Sequence, residues 1–71
     1  MTAIREVEID GDFITLGQFI KVVNLVSSGG EAKAFLNNNK ATINKENDNR
    51  RGRKLYKGDN VIIKGNQYKI C

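Results

Sequence analysis

Between Leu16 and Leu36 the apolar side chains recur at three- and four-residue spacing, and on either side of that window they alternate every second residue. A helix brings positions i, i+3, i+4 and i+7 to one face, whereas a strand points every second side chain the same way. A chain that changes period twice within 71 residues has to pack helices on strands, not stack a single type of element. Leu16, Phe19, Ile20 and Val23 make one helical stripe, with Thr15 placed to cap it. Ser28-Gly29-Gly30-Glu31 carries the capping-box pattern, in which a carboxylate three residues after the cap reaches back to a free backbone N–H. Ala32, Phe35 and Leu36 continue that second helix, and Asn37-Asn38-Asn39 ends it.

The flanks read as strands and turns. Residues 4–9 alternate apolar and charged, Asp10-Gly11-Asp12 turns the chain, and Ala41 and Ile43 open the second run of alternation. Lys45-Glu46-Asn47 is turn-like, residues 48–54 are almost wholly polar, and Leu55 re-enters the core. Lys57-Gly58-Asp59 is a second turn, residues 61–63 a strand, and Gly65-Asn66 a tight turn into a segment where Tyr68 and Ile70 share a face. The expected fold is α+β, a helical hairpin packed on a small antiparallel β-sheet, forming one domain over residues 1–71. Phe13, Phe19, Phe35 and Tyr68 are assigned to the core. Tyr56, beside the polar stretch, is the one candidate for stacking, with core or rim packing as its other reading.

So short a chain buries only about 60% of its unfolded surface, and its single cysteine, Cys71, cannot form an internal disulfide. Stability therefore rests on packing. There is no histidine, which removes the commonest general base and the usual nitrogen ligand for zinc. No apolar run approaches the roughly 20 residues of a membrane span, and acidic residues occupy the place of a signal-peptide core. These features point to a cytoplasmic, non-enzymatic protein with no cofactor and no membrane partner.

Charge is unevenly distributed. Residues 1–20 hold Arg5 against Glu6, Glu8, Asp10 and Asp12, a net −3, while residues 21–71 hold eleven cations against four anions, a net +7. Lys40, Lys45, Arg50, Arg51, Arg53, Lys54 and Lys57 fall within residues 40–57, opposed there by Glu46 and Asp48 alone. Such an excess is the footprint of a polyanion binder, although a solubilising surface has the same composition.

Residues 13–64 resemble the S-four-like, or α-L, RNA-binding domain named after the fourth protein of the small ribosomal subunit. The resemblance lies in Leu16 to Val26 as the first helix, Ser27-Ser28-Gly29-Gly30-Glu31-Ala32-Lys33 as the entry to the second, Ala41-Thr42-Ile43-Asn44 as a strand, and Lys57-Gly58-Asp59-Asn60-Val61 as the turn into the last strand. Together, Ser-Gly-Gly-Glu-Ala-Lys and Arg-Arg-Gly-Arg-Lys-Leu are most similar to the short, single-domain bacterial members, the YaaA-like proteins. The resemblance implies binding to structured RNA, often in a ribosomal setting, so ribosomal RNA and ribosomal proteins are the expected partners. Two departures stand out: Gly29 and Gly30 replace residues that are commonly polar in the family, and Lys45 replaces a turn glycine.

The expected RNA-binding residues are Gly29, Gly30, Lys33, Lys45, Arg50, Arg51, Arg53 and Lys54. Arg50-Arg51-Gly52-Arg53-Lys54 puts four cations into five residues, and the arginine fork matches phosphate oxygens. The helix start at Gly29-Gly30 offers free N–H groups and a positive dipole end, unless Ser28 and Glu31 already satisfy them. With no aromatic platform expected, the reading favours RNA shape and backbone over base stacking. Two other readings use the same charges: an adaptor docking an acidic or ribosomal protein, and a DNA binder.

Overall fold

The computed structural model describes residues 3–71. Among these residues, seven strands and two helices follow in the order β1 (Ile4–Val7), β2 (Phe13–Thr15), α1 (Leu16–Val22), α2 (Gly29–Asn38), β3 (Ala41–Ile43), β4 (Glu46–Asp48), β5 (Lys54–Tyr56), β6 (Asn60–Ile63) and β7 (Asn66–Ile70). Five strands form one sheet in the order β1-β7-β6-β3-β4, and β2 pairs with β5 in a separate two-stranded ribbon. The sheet is mostly antiparallel, as its alternating sequence leads one to expect, but β1 runs parallel to β7. A parallel pair needs a long crossover, and here both helices and the intervening strands lie inside it.

Period two decides which side chains meet the helices. Ala41 and Ile43, Val61 and Ile63, and Tyr68 and Ile70 point inward and are buried, while Thr42, Ile62 and Lys69 point away. Leu16, Phe19 and Ile20 of α1 and Ala32 and Leu36 of α2 cover that inner face, so the two helical stripes and the sheet share one core. Phe19 meets Tyr68 edge to face, with ring centroids 5.2 Å apart, an arrangement that ring quadrupoles favour. Val7 and Leu55 complete the cluster.

Both helix starts follow from their caps. Thr15 Oγ1 accepts the Gln18 N–H at 3.2 Å, and Gln18 Oε1 accepts the Thr15 N–H at 3.1 Å. Helix α1 stops at Val22, short of the expected Val26, because Asn24 takes a left-handed conformation with φ of 62°. Leu25 N–H then donates to Ile20 O and Asn24 N–H to Lys21 O, which closes the helix with a Schellman motif. At α2, Ser28 Oγ accepts the Glu31 N–H as expected, but the Glu31 carboxylate turns to the Ser27 backbone N–H and hydroxyl rather than to the cap's own N–H.

Four further expectations are corrected. β1 ends at Val7, not at residue 9. Asn44 and Lys45 both have positive φ, 49° and 74°, so the turn of the β3–β4 hairpin falls on that pair, and Glu46-Asn47-Asp48 is a strand. Lys64 and Gly65 likewise make the turn before β7, one residue earlier than expected. Phe13 lies on the outer side of the β2–β5 ribbon and is 41% exposed, because Ile14 takes the inward place in a strand of three residues.

Candidate nucleic-acid interface

Strand β4 has no apolar residue, and its register explains its role. Ile43 pairs with Glu46 and Ala41 with Asp48, so both carboxylates share the helix-facing side of the sheet at its edge. Inward-pointing charge on an edge strand blocks pairing with other chains. It also receives the loop that follows. Asp48 accepts from the Arg50 backbone N–H at 2.9 Å, from Arg50 Nε at 3.1 and 3.2 Å, and from Arg50 Nη2 at 2.9 Å. Arg53 Nη1 reaches the same carboxylate at 3.2 Å and Glu46 at 3.9 Å. The Asp48 side chain is only 9% exposed, and Arg53's only 25%. The Arg50 hydrogen bonds hold the Asp48 carboxyl well below the ordinary carboxylate range, against partial burial that pulls the other way.

The loop backbone also builds helix α1. Leu16 N–H donates to Arg53 O at 2.8 Å and Gly17 N–H to Arg51 O at 2.9 Å, so two of the helix's unpaired amides end on loop carbonyls. Gly17 is buried there, and a Cβ at that position would stand 3.4 Å from Arg51 Cβ and Arg51 O. Nothing in the apolar period marks Gly17. Its one signal in the sequence is a glycine inside the first turn of a helix, where propensity alone disfavours it by about 1 kcal/mol.

With Arg50 and Arg53 engaged, the other cations of the loop have no carboxylate partner among the described residues. Arg51 Nη1 crosses to Gly29 O at 3.3 Å and joins the loop to the start of α2. Thr15, Gly17, Gln18, Lys21, Gly29, Ala32, Arg51 and Gly52 line the shallow hollow beneath that contact. Gly29, Gly30 and Lys33 are exposed along the first turns of α2. The structure thus brings Arg51, Gly29 and the loop together, with Lys33 further along the same helix. Lys45 stands elsewhere, at the β3–β4 hairpin tip, in a hollow formed with Thr42, Asn44, Asn60 and Ile62. Lys54 belongs to β5, and its ammonium lies 4.8 Å from the Phe13 ring centroid.

The aromatic side chains are not all in the core: one pair stands exposed on the ribbon. Phe13 and Tyr56 face each other across β2 and β5, with centroids 6.0 Å apart, and Tyr56 is 47% exposed. The signal was the Phe-Ile-Thr alternation before α1, too short to separate a strand from the approach to a helix. Among the described residues no group of three or more His, Cys, Asp or Glu side chains is placed to hold a metal, and no helix is long and apolar enough to cross a membrane.

The S4 domain family model matches residues 7–71, nearly the whole chain. The chain belongs to the S4 domain family. It is 54% identical over 59 residues to a probable ribosome maturation protein, RlbA, of Bacillus subtilis (strain 168), and the match spans 83% of each chain. No solved structure matches it. The match to the S4 domain runs from Val7 through β7, so it includes four of the five strands of the main sheet as well as the β2–β5 ribbon, the helices and the basic loop.

Proposed function

We propose that this S4 domain binds folded ribosomal RNA during ribosome maturation, as a binding protein and not an enzyme, and that it does so mainly through phosphate contacts. Its surface runs from the α2 start across the 49–53 loop to β5. The observation that carries this reading is the Arg51–Gly29 contact, which sets an unpaired guanidinium against a helix N-terminus with Lys33 further along that helix. A guanidinium held beside the first turn of α2, where Ser28 caps the Glu31 N–H but leaves Gly29 and Gly30 exposed, suits a phosphate group. The name of the Bacillus subtilis relative supplies the ribosomal context.

Within this surface the cations divide. Arg51, Lys33 and Lys54 contact phosphates, Gly29 and Gly30 let the RNA backbone approach α2, and Arg50 contributes from its exposed side, with 73% of its side chain accessible. Arg53 acts chiefly by fixing the loop, since its guanidinium lies between Asp48 and Glu46. Lys45 meets RNA only if the ligand is large enough to extend past the hairpin tip.

The test is binding of the purified protein to ribosomal RNA fragments across a salt series. Removing one phosphate contact lowers the slope of log affinity against log salt by about one. Arg51→Ala and Lys33→Ala should each remove about one such contact without lowering the melting temperature. Wild-type affinity and an unchanged slope in both variants would sink the assignment. Ultraviolet crosslinking in cells, followed by sequencing of the captured RNA, identifies the target.

A further inference from the structure

We infer that Phe13, with Tyr56 and Lys54, forms a receptor for one unpaired nucleobase of the bound RNA. The inference rests on the RNA-binding reading and adds a second kind of contact to it. Register brings the three together: Phe13 lies opposite Tyr56 and Thr15 opposite Lys54, so Lys54 is the diagonal neighbour of Phe13 on the same outer side of the ribbon. No element among the described residues covers the pair, which leaves Phe13 41% and Tyr56 47% exposed. The rings are tilted by 53°, giving a notch instead of a flat plate.

Phe13 is also one wall of a hollow of about 510 Å³ whose other apolar lining is Ile9, Ile14 and Val22. That volume falls within the range of small-molecule sites, ample for a single base. Glu8 and Asp10 stand on its rim with Gln18 and Lys21. Two carboxylates against the single Lys21 ammonium make the hollow poor ground for a phosphate. Lys54, 4.8 Å from the Phe13 ring centroid, instead offers a cation on the ribbon itself for the phosphate of a base set against Phe13. Lys54 is also the last cation of the Arg50–Lys54 run, which makes the aromatic pair continuous with the phosphate surface. A stacked base strengthens binding by roughly fivefold or more in single-strand binders, and a base already unpaired adds no cost of opening a helix.

The experiment uses the full chain and two RNA hairpins of equal stem length, one fully paired and one with a single bulged 2-aminopurine, at one low salt concentration. The bulged hairpin should bind at least about fivefold tighter, with 2-aminopurine fluorescence quenched on binding. Phe13→Leu keeps the apolar bulk but should lose both the preference and the quench, with Tyr56→Leu as the second variant if Phe13→Leu lowers melting. Arg51→Ala should weaken both hairpins alike and keep the quench. If the wild type binds both hairpins equally without quenching, or if both leucine variants keep the preference, the receptor is overturned and the phosphate reading stands. If the wild type binds neither hairpin, both readings fall.

Discussion

Asn44 and Asp59, far apart in sequence, are joined by a 3.0 Å hydrogen bond from Asn44 Nδ2 to Asp59 Oδ1. Asn44 Oδ1 also accepts the Asn60 N–H at 3.0 Å, and Asp59 Oδ2 accepts the Tyr56 N–H at 2.8 Å. One side-chain pair therefore ties the β3–β4 hairpin to the turn between β5 and β6, the two places where the Ile-Asn and Gly-Asp signatures occur. Asn44 also holds a left-handed φ of 49°, a conformation asparagine tolerates better than alanine does. Asn44→Ala should cost about 1–2 kcal/mol, a fall of roughly 4–16 °C in melting temperature for a domain of this size. Thermal unfolding followed by circular dichroism measures it, and unchanged melting would show that the tie contributes nothing.

A second expectation separates Arg51 from Arg53. Arg53→Ala leaves Glu46 without its cation and removes one donor from the nearly buried Asp48, so it should destabilise the protein by about 1 kcal/mol. Arg51→Ala removes a guanidinium whose one hydrogen bond among the described residues is to Gly29 O, and should spare stability while reducing RNA affinity. Melting and binding measured on both variants decide the matter. The reverse pattern would exchange the roles of the two arginines.

Acid should loosen the same loop. Asp48 titrates below its ordinary value of 3.8 in the folded protein, so the unfolded chain binds that proton more readily. Its contribution is complete above about 3.8 and drains away as pH falls further. Glu31, held low by its hydrogen bonds from Ser27, acts in the same direction from 4.5 downward. Melting temperature should therefore decline below about pH 4, and Asp48→Asn should flatten part of that decline while lowering stability at neutral pH. An acid limb identical in wild type and Asp48→Asn would assign the decline to other carboxylates.

The core and the helical surface of α2 should respond in opposite ways. Leu36 is fully buried, and Leu36→Ala should cost about 2–5 kcal/mol, a large share of what a small domain has. Lys33→Ala, one turn earlier and exposed, should leave melting within about 0.5 kcal/mol and weaken RNA binding. Denaturant unfolding and filter binding on both variants test the division. A destabilised Lys33 variant with normal binding would reverse it.

Ligand shape gives a fifth expectation. A folded RNA holds phosphates at fixed separations, whereas a flexible strand has to be ordered first at an entropic cost. A junction or bulged hairpin should bind more tightly than a poly-pyrimidine strand, and more tightly than duplex DNA, at the same salt concentration. Equal affinity for duplex DNA would leave a general polyanion binder.

Apolar periodicity made most of the scaffold legible. Leu16, Phe19 and Ile20, then Ala32 and Leu36, and then Val61, Ile63, Tyr68 and Ile70 declare their faces because each stripe is long enough to show its period. β4 was hidden because Glu46-Asn47-Asp48 contains nothing apolar, and the face it presents is set by pairing with β3. The ribbon is hidden for a related reason: with one inward residue on each strand, Ile14 and Leu55, no period exists to read, and the hydrophobicity of Phe13 alone points to the core. In the candidate site the density of cations was plain. Which of them remain unpaired was not, because that depends on where Asp48 points. The Arg51–Gly29 contact joins residues 22 positions apart and has no local trace in the sequence.

The parallel pairing of β1 with β7 sets an order of events during synthesis. Ile4 to Val7 align with Gln67 to Ile70, and Cys71 N–H donates back to Val7 O at 2.8 Å, so the first strand of the fold finds its partner in the last. Until residues 66–70 emerge, β1 stays unpaired, and β6 lacks its neighbour on that side. The helical hairpin can form early from local contacts, but closing a loop that spans almost the entire domain comes last. A nascent chain stalled before Asn66 should therefore show helical protection in hydrogen exchange with no protected strand at Ile4–Val7. Release of the final strand should complete the sheet in a single step.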